Sequence, residues 1–213
     1  MNMQDIMKLK NTTGAGVGDC KKALEECKGD FDKAIAFLRE KGKATAAKKS
    51  DRIAAEGMVG VYSHFGKIGV IVEVNCETDF AAKSDQFQEL VRNIAMQIAA
   101  SNPLYLDETQ VPVADLKKEQ DVLRAKAKAD KKPDAIVEKM VEGGTKKFYG
   151  EYCLVHQSYV KDPSKSIKDV VIEASAAIGE KIAIRRFVRF ELGEGIEKKV
   201  ENFADEVKKV TKG

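Results

Sequence analysis

The sequence predicts an α+β fold: a small three-helix N-terminal module, a core with a small antiparallel sheet flanked by helices, and a C-terminal helical module. Two observations carry this. Two strand-like runs lie before residue 75 and one confident run lies after residue 181, with a long helical insertion between them. That split argues against a doubly wound βαβ arrangement. Residues 1–42, by contrast, hold only helical periods separated by turns.

The elements follow in order. A short helix starting near Asp5 carries Ile6 and Leu9, and Asn11 to Gly16 is turn chemistry. A second helix carries Val17, Cys20, Ala23, Leu24 and Cys27, with Gly29 placed to end it. Asp30 caps a third helix whose face is Phe31, Ala34, Ile35 and Leu38, and Gly42 closes it. Residues 43–55 are expected to be an Ala/Lys-rich linker, helical if docked, and residues 56–192 the core.

In the core, runs at Gly57–Tyr62 and Lys67–Val74 form a hairpin joined by Ser63-His64-Phe65-Gly66. Ser84 caps a helix with Phe87, Leu90, Val91, Ile94, Ala95 and Ile98 on one face, a clear helical period. Asn102-Pro103 ends it. Helices are expected over Val113–Ala129 and Asp134–Lys147, broken at Lys132-Pro133 and closed near Gly143-Gly144, then a short strand around Tyr149–Val155. Ser166 caps a helix through Ile178, and Lys181–Leu192 is the last strand. In residues 193–213, Ile196, Val200, Phe203, Val207 and Val210 form a heptad-like stripe that needs a docking surface, on this chain or on a partner.

Composition removes several function classes. With 213 residues, the chain has room for one sizeable domain and a small one. Its 43% hydrophobic and 33% charged content suit a soluble protein with long exposed helices. A net charge of +3 does not argue for nucleic acid, and the absence of Trp argues against base-stacking platforms. The start of the chain lacks secretory or transit character, and no apolar run approaches the roughly 18 residues of a membrane span, so a cytoplasmic protein is expected. Cys20, Cys27, Cys76 and Cys153 form no CxxC pair and accompany only His64 and His156, so neither zinc nor any other cofactor is expected, and the thiols read as reduced.

The most informative stretch is Cys76-Glu77-Thr78-Asp79-Phe80-Ala81-Ala82, between a strand and a strongly periodic helix. An aromatic beside a carboxylate at such a junction is well placed to be presented to a partner. Gly14-Ala15-Gly16-Val17-Gly18 fails as a phosphate loop: no strand precedes it, and Asp19-Cys20 stand where Lys and Ser/Thr are needed. A thiol–imidazole pair of Cys76 and His64 competes with a buried structural thiol, which is favoured. With no base, nucleophile or phosphate cradle, the pair reads as a mechanical wedge, not an enzyme's site.

Four segments together resemble the elongation factor Ts family. They are Thr13-Gly14-Ala15-Gly16 with Asp19-Cys20-Lys21-Lys22-Ala23-Leu24; Glu73 to Lys83; Glu138 to Gly143 with Lys146-Lys147-Phe148; and Arg189 to Lys198. They span the chain in family order. Ala81 stands where that family usually has Val, loosening local packing by about 1 kcal/mol. Val17-Gly18 replace two bulkier apolar residues, which bears on the strength of the module's contact.

The resemblance implies a guanine-nucleotide exchange factor for elongation factor Tu, bound in its GDP-bound and nucleotide-free forms. It implies a ubiquitin-associated-like N-terminal module, and a single core like the family's short form, for which a homodimer is expected. Neither a membrane nor specific nucleic acid is implied as a partner. Thr78, Asp79, Phe80 and Ala81 would form the magnesium-dislocation segment, with Phe80 the wedge. Leu9 and Val17 would grip the GTPase, His64 would face it, and Ile196, Val200 and Phe203 would dock the C-terminal module. The bland alternatives are internal packing for Leu9, Val17 and Phe80, an exposed hairpin position for His64 and a helix cap for Asp79. Two other classes compete: an adaptor built on the three-helix module, and an RNA-binding accessory factor using Lys43–Arg52.

Overall fold

The computed structural model describes residues 2–130 and 132–196. Val200 and Phe203, with the rest of the expected stripe beyond Ile196, lie outside the described residues.

Helix α1 (Met3–Thr13) begins slightly before Asp5, because the Asn2 side chain accepts the Gln4 N–H. Gly14, at φ 69°, ends it. Helix α2 (Val17–Glu26) is closed as expected: Gly29, at φ 84°, donates its N–H to Leu24 O at 2.8 Å. Helix α3 (Phe31–Lys48) starts at Asp30, which accepts the Lys33 N–H at 3.1 Å. Ile6, Leu9, Cys20, Ala23, Leu24, Ala34 and Leu38 form the module's core.

Gly42 does not close α3. A Cβ there would lie 3.6 Å from Ala176 Cβ, so the glycine sits where α3 passes close to the core. Ala and Lys are strong helix formers and carry the helix through Lys48, so the expected linker is helical over its first half.

Strand β1 (Glu56–His64) pairs antiparallel with β2 (Ile68–Cys76). Phe65 at φ 49° and Gly66 at φ 67° give the two positive φ values that a tight hairpin of this twist requires. One turn of helix, α4 (Asp79–Ala82), follows, then α5 (Asp85–Ser101), which Ser84 caps by accepting the Phe87 N–H. All six residues of the expected α5 face are buried.

Helices α6 (Val113–Ala129) and α7 (Asp134–Tyr152) pack on each other around Ala127, Val137 and Val141. Helix α7 runs straight through Gly143-Gly144. A Cβ on Gly144 would lie 2.4 Å from Leu123 Cδ1, so this glycine serves close helix approach, not termination. The expected strand at 149–155 is instead the end of α7 and a 3-10 turn, Leu154–His156. Phe148 and Tyr149 each lie one turn before Tyr152, a spacing that suits a helix face.

A two-strand ribbon, β3 (Ser158–Tyr159) with β4 (Asp162–Ser166), leads into α8 (Ile167–Ile178), where Ser166 and Asp169 form a reciprocal capping box. Strand β5 (Ala183–Glu191) then pairs antiparallel with β2, giving the order β1-β2-β5. Val70, Val72, Val74 and Ile184 form one core cluster with Phe87, Val91 and Ile98 of α5 and with Ile167 of α8. The other face of the sheet is open.

Candidate partner-docking site

Strand β2 delivers the chain to the site. Cys76, its last residue, is buried, and its Sγ–H donates to Thr78 O at 3.1 Å. Thr78 is extended, and its Oγ1 accepts the Ala81 N–H at 3.2 Å, capping the single turn α4. Ser84 Oγ donates to Ala81 O at 2.7 Å, fixing the exit.

Glu180, from the α8–β5 connection, closes the arrangement. One of its carboxylate oxygens accepts the Glu77 and Thr78 N–H groups, each at 3.0 Å. The other accepts the Thr78 hydroxyl at 2.6 Å. In return Glu77 accepts the Lys181 backbone N–H at 2.6 Å, and Arg52 lies 3.3 Å from both its oxygens. The Lys181 N–H, then Arg52, hold the Glu77 carboxyl below the usual carboxylate range against partial desolvation. Lys181 Nζ also donates to Ser50 O and Arg52 O, at 2.6 and 2.8 Å, so the chain leaving α3 is tied to the same node.

The clamped turn sends neighbouring side chains in opposite directions. Ala81 packs into the main core, whereas Phe80 is 82% exposed. Asp79 is bonded by Lys83 Nζ at 2.7 Å, which keeps its carboxyl low and ionised.

The other expected site residues do not gather here. The hairpin register sets His64 opposite Ile68 and Cys76 opposite Glu56, at opposite ends of nine-residue strands about 25 Å long. The thiol–imidazole pair therefore does not form. His64 instead bonds Tyr62 OH through Nδ1 at 3.0 Å and meets the exposed Phe65 edge-on. Leu9 is wholly buried inside the module and presents no surface, whereas Val17 at the start of α2 is exposed. Ile196 is exposed as well.

Two features escaped sequence reasoning. Glu180 and Lys181 act on Glu77 and Thr78 from over a hundred residues away, and no local pattern marks them. The open sheet face carries a continuous apolar row, Val61 opposite Ile71 opposite Val188, with Val59 and Phe190 beside it. Part of its signal was readable: Val59 and Val61 share one parity in β1, and Ile71 stands at the opposite parity to the buried Val70, Val72 and Val74. Glu73 on that face accepts from Arg185 at 2.8 Å and Arg186 at 2.7 Å.

Among the described residues no cluster of His, Cys, Asp and Glu could hold a metal ion. No described helix is long and apolar enough to cross a membrane.

The chain thus joins a helical N-terminal module, a sheet split by a helical insertion and a clamped Thr-Asp-Phe turn. The elongation factor Ts profile matches residues 3–194, and the chain belongs to that family. It is 57% identical over 205 residues to elongation factor Ts of Desulfitobacterium hafniense, covering 96% of this chain and 94% of that one. The elongation factor Ts of Acetivibrio thermocellus is 56% identical over 209 residues, covering 98% and 97% of the two chains. That of Carboxydothermus hydrogenoformans is 55% identical over 205 residues, covering 96% and 94%.

Proposed function

We propose that this chain is a guanine-nucleotide exchange factor: it binds elongation factor Tu carrying GDP, disturbs the magnesium site and promotes GDP release during translation elongation in the cytoplasm. The observation that carries the proposal is the exposure of Phe80 on a turn held by three separate hydrogen-bond systems. A ring that stays out of its own core is available to another protein's, and a clamped backbone spends little ordering entropy on insertion. No chemistry is required of the factor itself and no cofactor is needed.

In this mechanism Phe80 wedges between helices of the GTP-binding domain near the magnesium ion. The ionised Asp79 beside it repositions groups that hold that ion, while Thr78 and Ala81 keep the turn rigid. Weakening GDP a thousandfold requires about 4 kcal/mol of coupling. One well-seated aromatic anchor supplies about 2–4 kcal/mol. Val17 would grip the GTPase from the module, with Leu9 acting from beneath by packing. His64 would make a contact at the hairpin tip, and Ile196, Val200 and Phe203 would dock the C-terminal module. The division into module, wedge-bearing core and C-terminal segment follows those three contacts.

The linkage gives the test. GDP with magnesium must weaken binding of this factor to elongation factor Tu by the same ratio that the factor weakens GDP. Titration calorimetry of the factor into nucleotide-free and GDP-loaded elongation factor Tu measures the first ratio, and of GDP into free and factor-bound elongation factor Tu the second. Equal affinity for the two forms contradicts exchange and leaves an adaptor.

A homodimer is the second part of the proposal, favoured by the open sheet face. The row Val61–Ile71–Val188 is apolar, and the Glu73 carboxylate pairs with both Arg185 and Arg186 beside it, leaving one net positive charge at the row's edge. A second copy laid on it by a twofold axis meets apolar surface while the exposed Arg185 and Arg186 stay at the rim. Sedimentation equilibrium should show a dimer that Ile71→Arg converts to a folded monomer. A monomeric wild type at micromolar concentration removes this part.

A further inference from the structure

We propose that Glu180 is a positioning residue for the Phe80 wedge, and that its carboxylate fixes the orientation in which the turn is presented. The proposal rests on the exchange reading of the Thr-Asp-Phe segment.

The geometry makes three demands that one side chain meets. The Glu77 and Thr78 N–H groups come at the end of β2, with no ladder partner once the strand pairing stops at Cys76. Glu77 is half-buried and Thr78 exposed, so without Glu180 water is their alternative partner, and water fixes no geometry. Glu180 accepts both with one oxygen and takes the Thr78 hydroxyl with the other. The hydroxyl is thereby aimed so that Oγ1 can also accept the Ala81 N–H, the bond that closes α4. Phe80 lies inside that closed turn, so the direction of its ring follows from the Thr78 conformation.

Glu180 is itself held from three sides. Ser175 Oγ donates to its carbonyl, Glu77 accepts the N–H of the next residue, and Lys181 Nζ binds Ser50 O and Arg52 O. The carboxylate that orients the wedge is thus anchored both to α8 and to the chain leaving the N-terminal module. Since Glu180 bonds the Glu77–Thr78 segment and neither Phe80 nor the core cluster, its loss leaves the ring and the core intact and disturbs only the presentation.

The test uses the full chain in four forms: wild type, Glu180→Ala, Glu180→Gln and the double variant of Glu180→Ala with Thr78→Ala. Three measurements are made: GDP release from elongation factor Tu at saturating factor, amide exchange at Glu77 and Thr78, and thermal melting. The expected loss for Glu180→Ala is about tenfold in release, with faster exchange at both amides and a melt close to wild type. Glu180→Gln should recover most of the rate, because an amide oxygen can accept both N–H groups while its NH2 donates to Thr78 Oγ1. The double variant should be no slower than Glu180→Ala, the non-additivity expected of residues acting through one another. If Glu180→Ala does not fold, Glu180→Gln combined with Thr78→Ala replaces it, and simple additivity there overturns the proposal. A wild-type rate in folded Glu180→Ala, in a setting where Phe80→Ala is slow, overturns the role of Glu180 and leaves exchange standing. No acceleration even by the wild type removes the exchange reading itself.

Discussion

Phe80 and Ala81 are adjacent on one helical turn, yet Ala81 is 7% exposed and Phe80 82%. The turn uses the smaller residue as its anchor and leaves the larger one in water. Burial of a Phe is worth about 2–3 kcal/mol, and folding of this chain does not collect it.

Phe80→Ala should therefore leave stability within about 0.5 kcal/mol of wild type, as for other surface substitutions. Urea denaturation followed by circular dichroism measures this. A loss of several kcal/mol would make Phe80 structural and end its role as a wedge.

Gly57 sits opposite Asn75, one residue before Cys76, at φ 141°. A Cβ there would lie 2.2 Å from Val74 O, a backbone atom with no freedom to retreat. Gly57→Ala should destabilise by about 2–4 kcal/mol through strain and overpacking together. A denaturation midpoint equal to wild type would show that β1 can shift against β2.

Acid should loosen the site. The carboxyls of Glu73, Glu77 and Asp79 are held below their usual range, by Arg185 and Arg186, by the Lys181 N–H, and by Lys83 respectively. The native state thus binds fewer protons than the unfolded chain near pH 4. Their stabilisation is complete above the ordinary carboxylate pKa of about 4.3 and fades as pH falls through the lower folded values. Melting temperature should drop below about pH 5, and less steeply in Glu77→Gln. A melt that rises on acidification contradicts the assignment.

Thiol chemistry should be selective. Cys20, Cys76 and Cys153 are buried, and Cys27 alone is half-buried. Burial pushes the Cys153 thiol up to about 11 and raises Cys20 and Cys76 as well. A thiol reagent at neutral pH should modify Cys27 promptly and the other three only on unfolding. Rapid reaction of Cys76 would show that the turn after β2 opens in the native state.

Where physical signals are local, the chain was readable in advance. The caps at Asp30, Ser84 and Ser166 and the buried face of α5 are fixed by neighbours within one or two turns. Misreadings came where a glycine had a tertiary purpose. Gly42 and Gly144 look like helix ends, but they allow close approach to Ala176 and Leu123. The Thr78–Ala81 motif was visible as a motif. What holds it was not, because Glu180 reaches it across a sequence distance that no periodicity records. Leu9 was legible as a helix-face residue, but a helical period alone does not say whether that face turns inward, as this one does.

The most direct measurement is stopped-flow release of fluorescent GDP from elongation factor Tu, with the wild-type chain and with Phe80→Ala. The account predicts strong acceleration by the wild type and a loss of about thirtyfold or more in the variant, the effect of removing an anchor worth about 2 kcal/mol or more. Equal acceleration by the two proteins, or none by a folded wild type that binds elongation factor Tu, would contradict it.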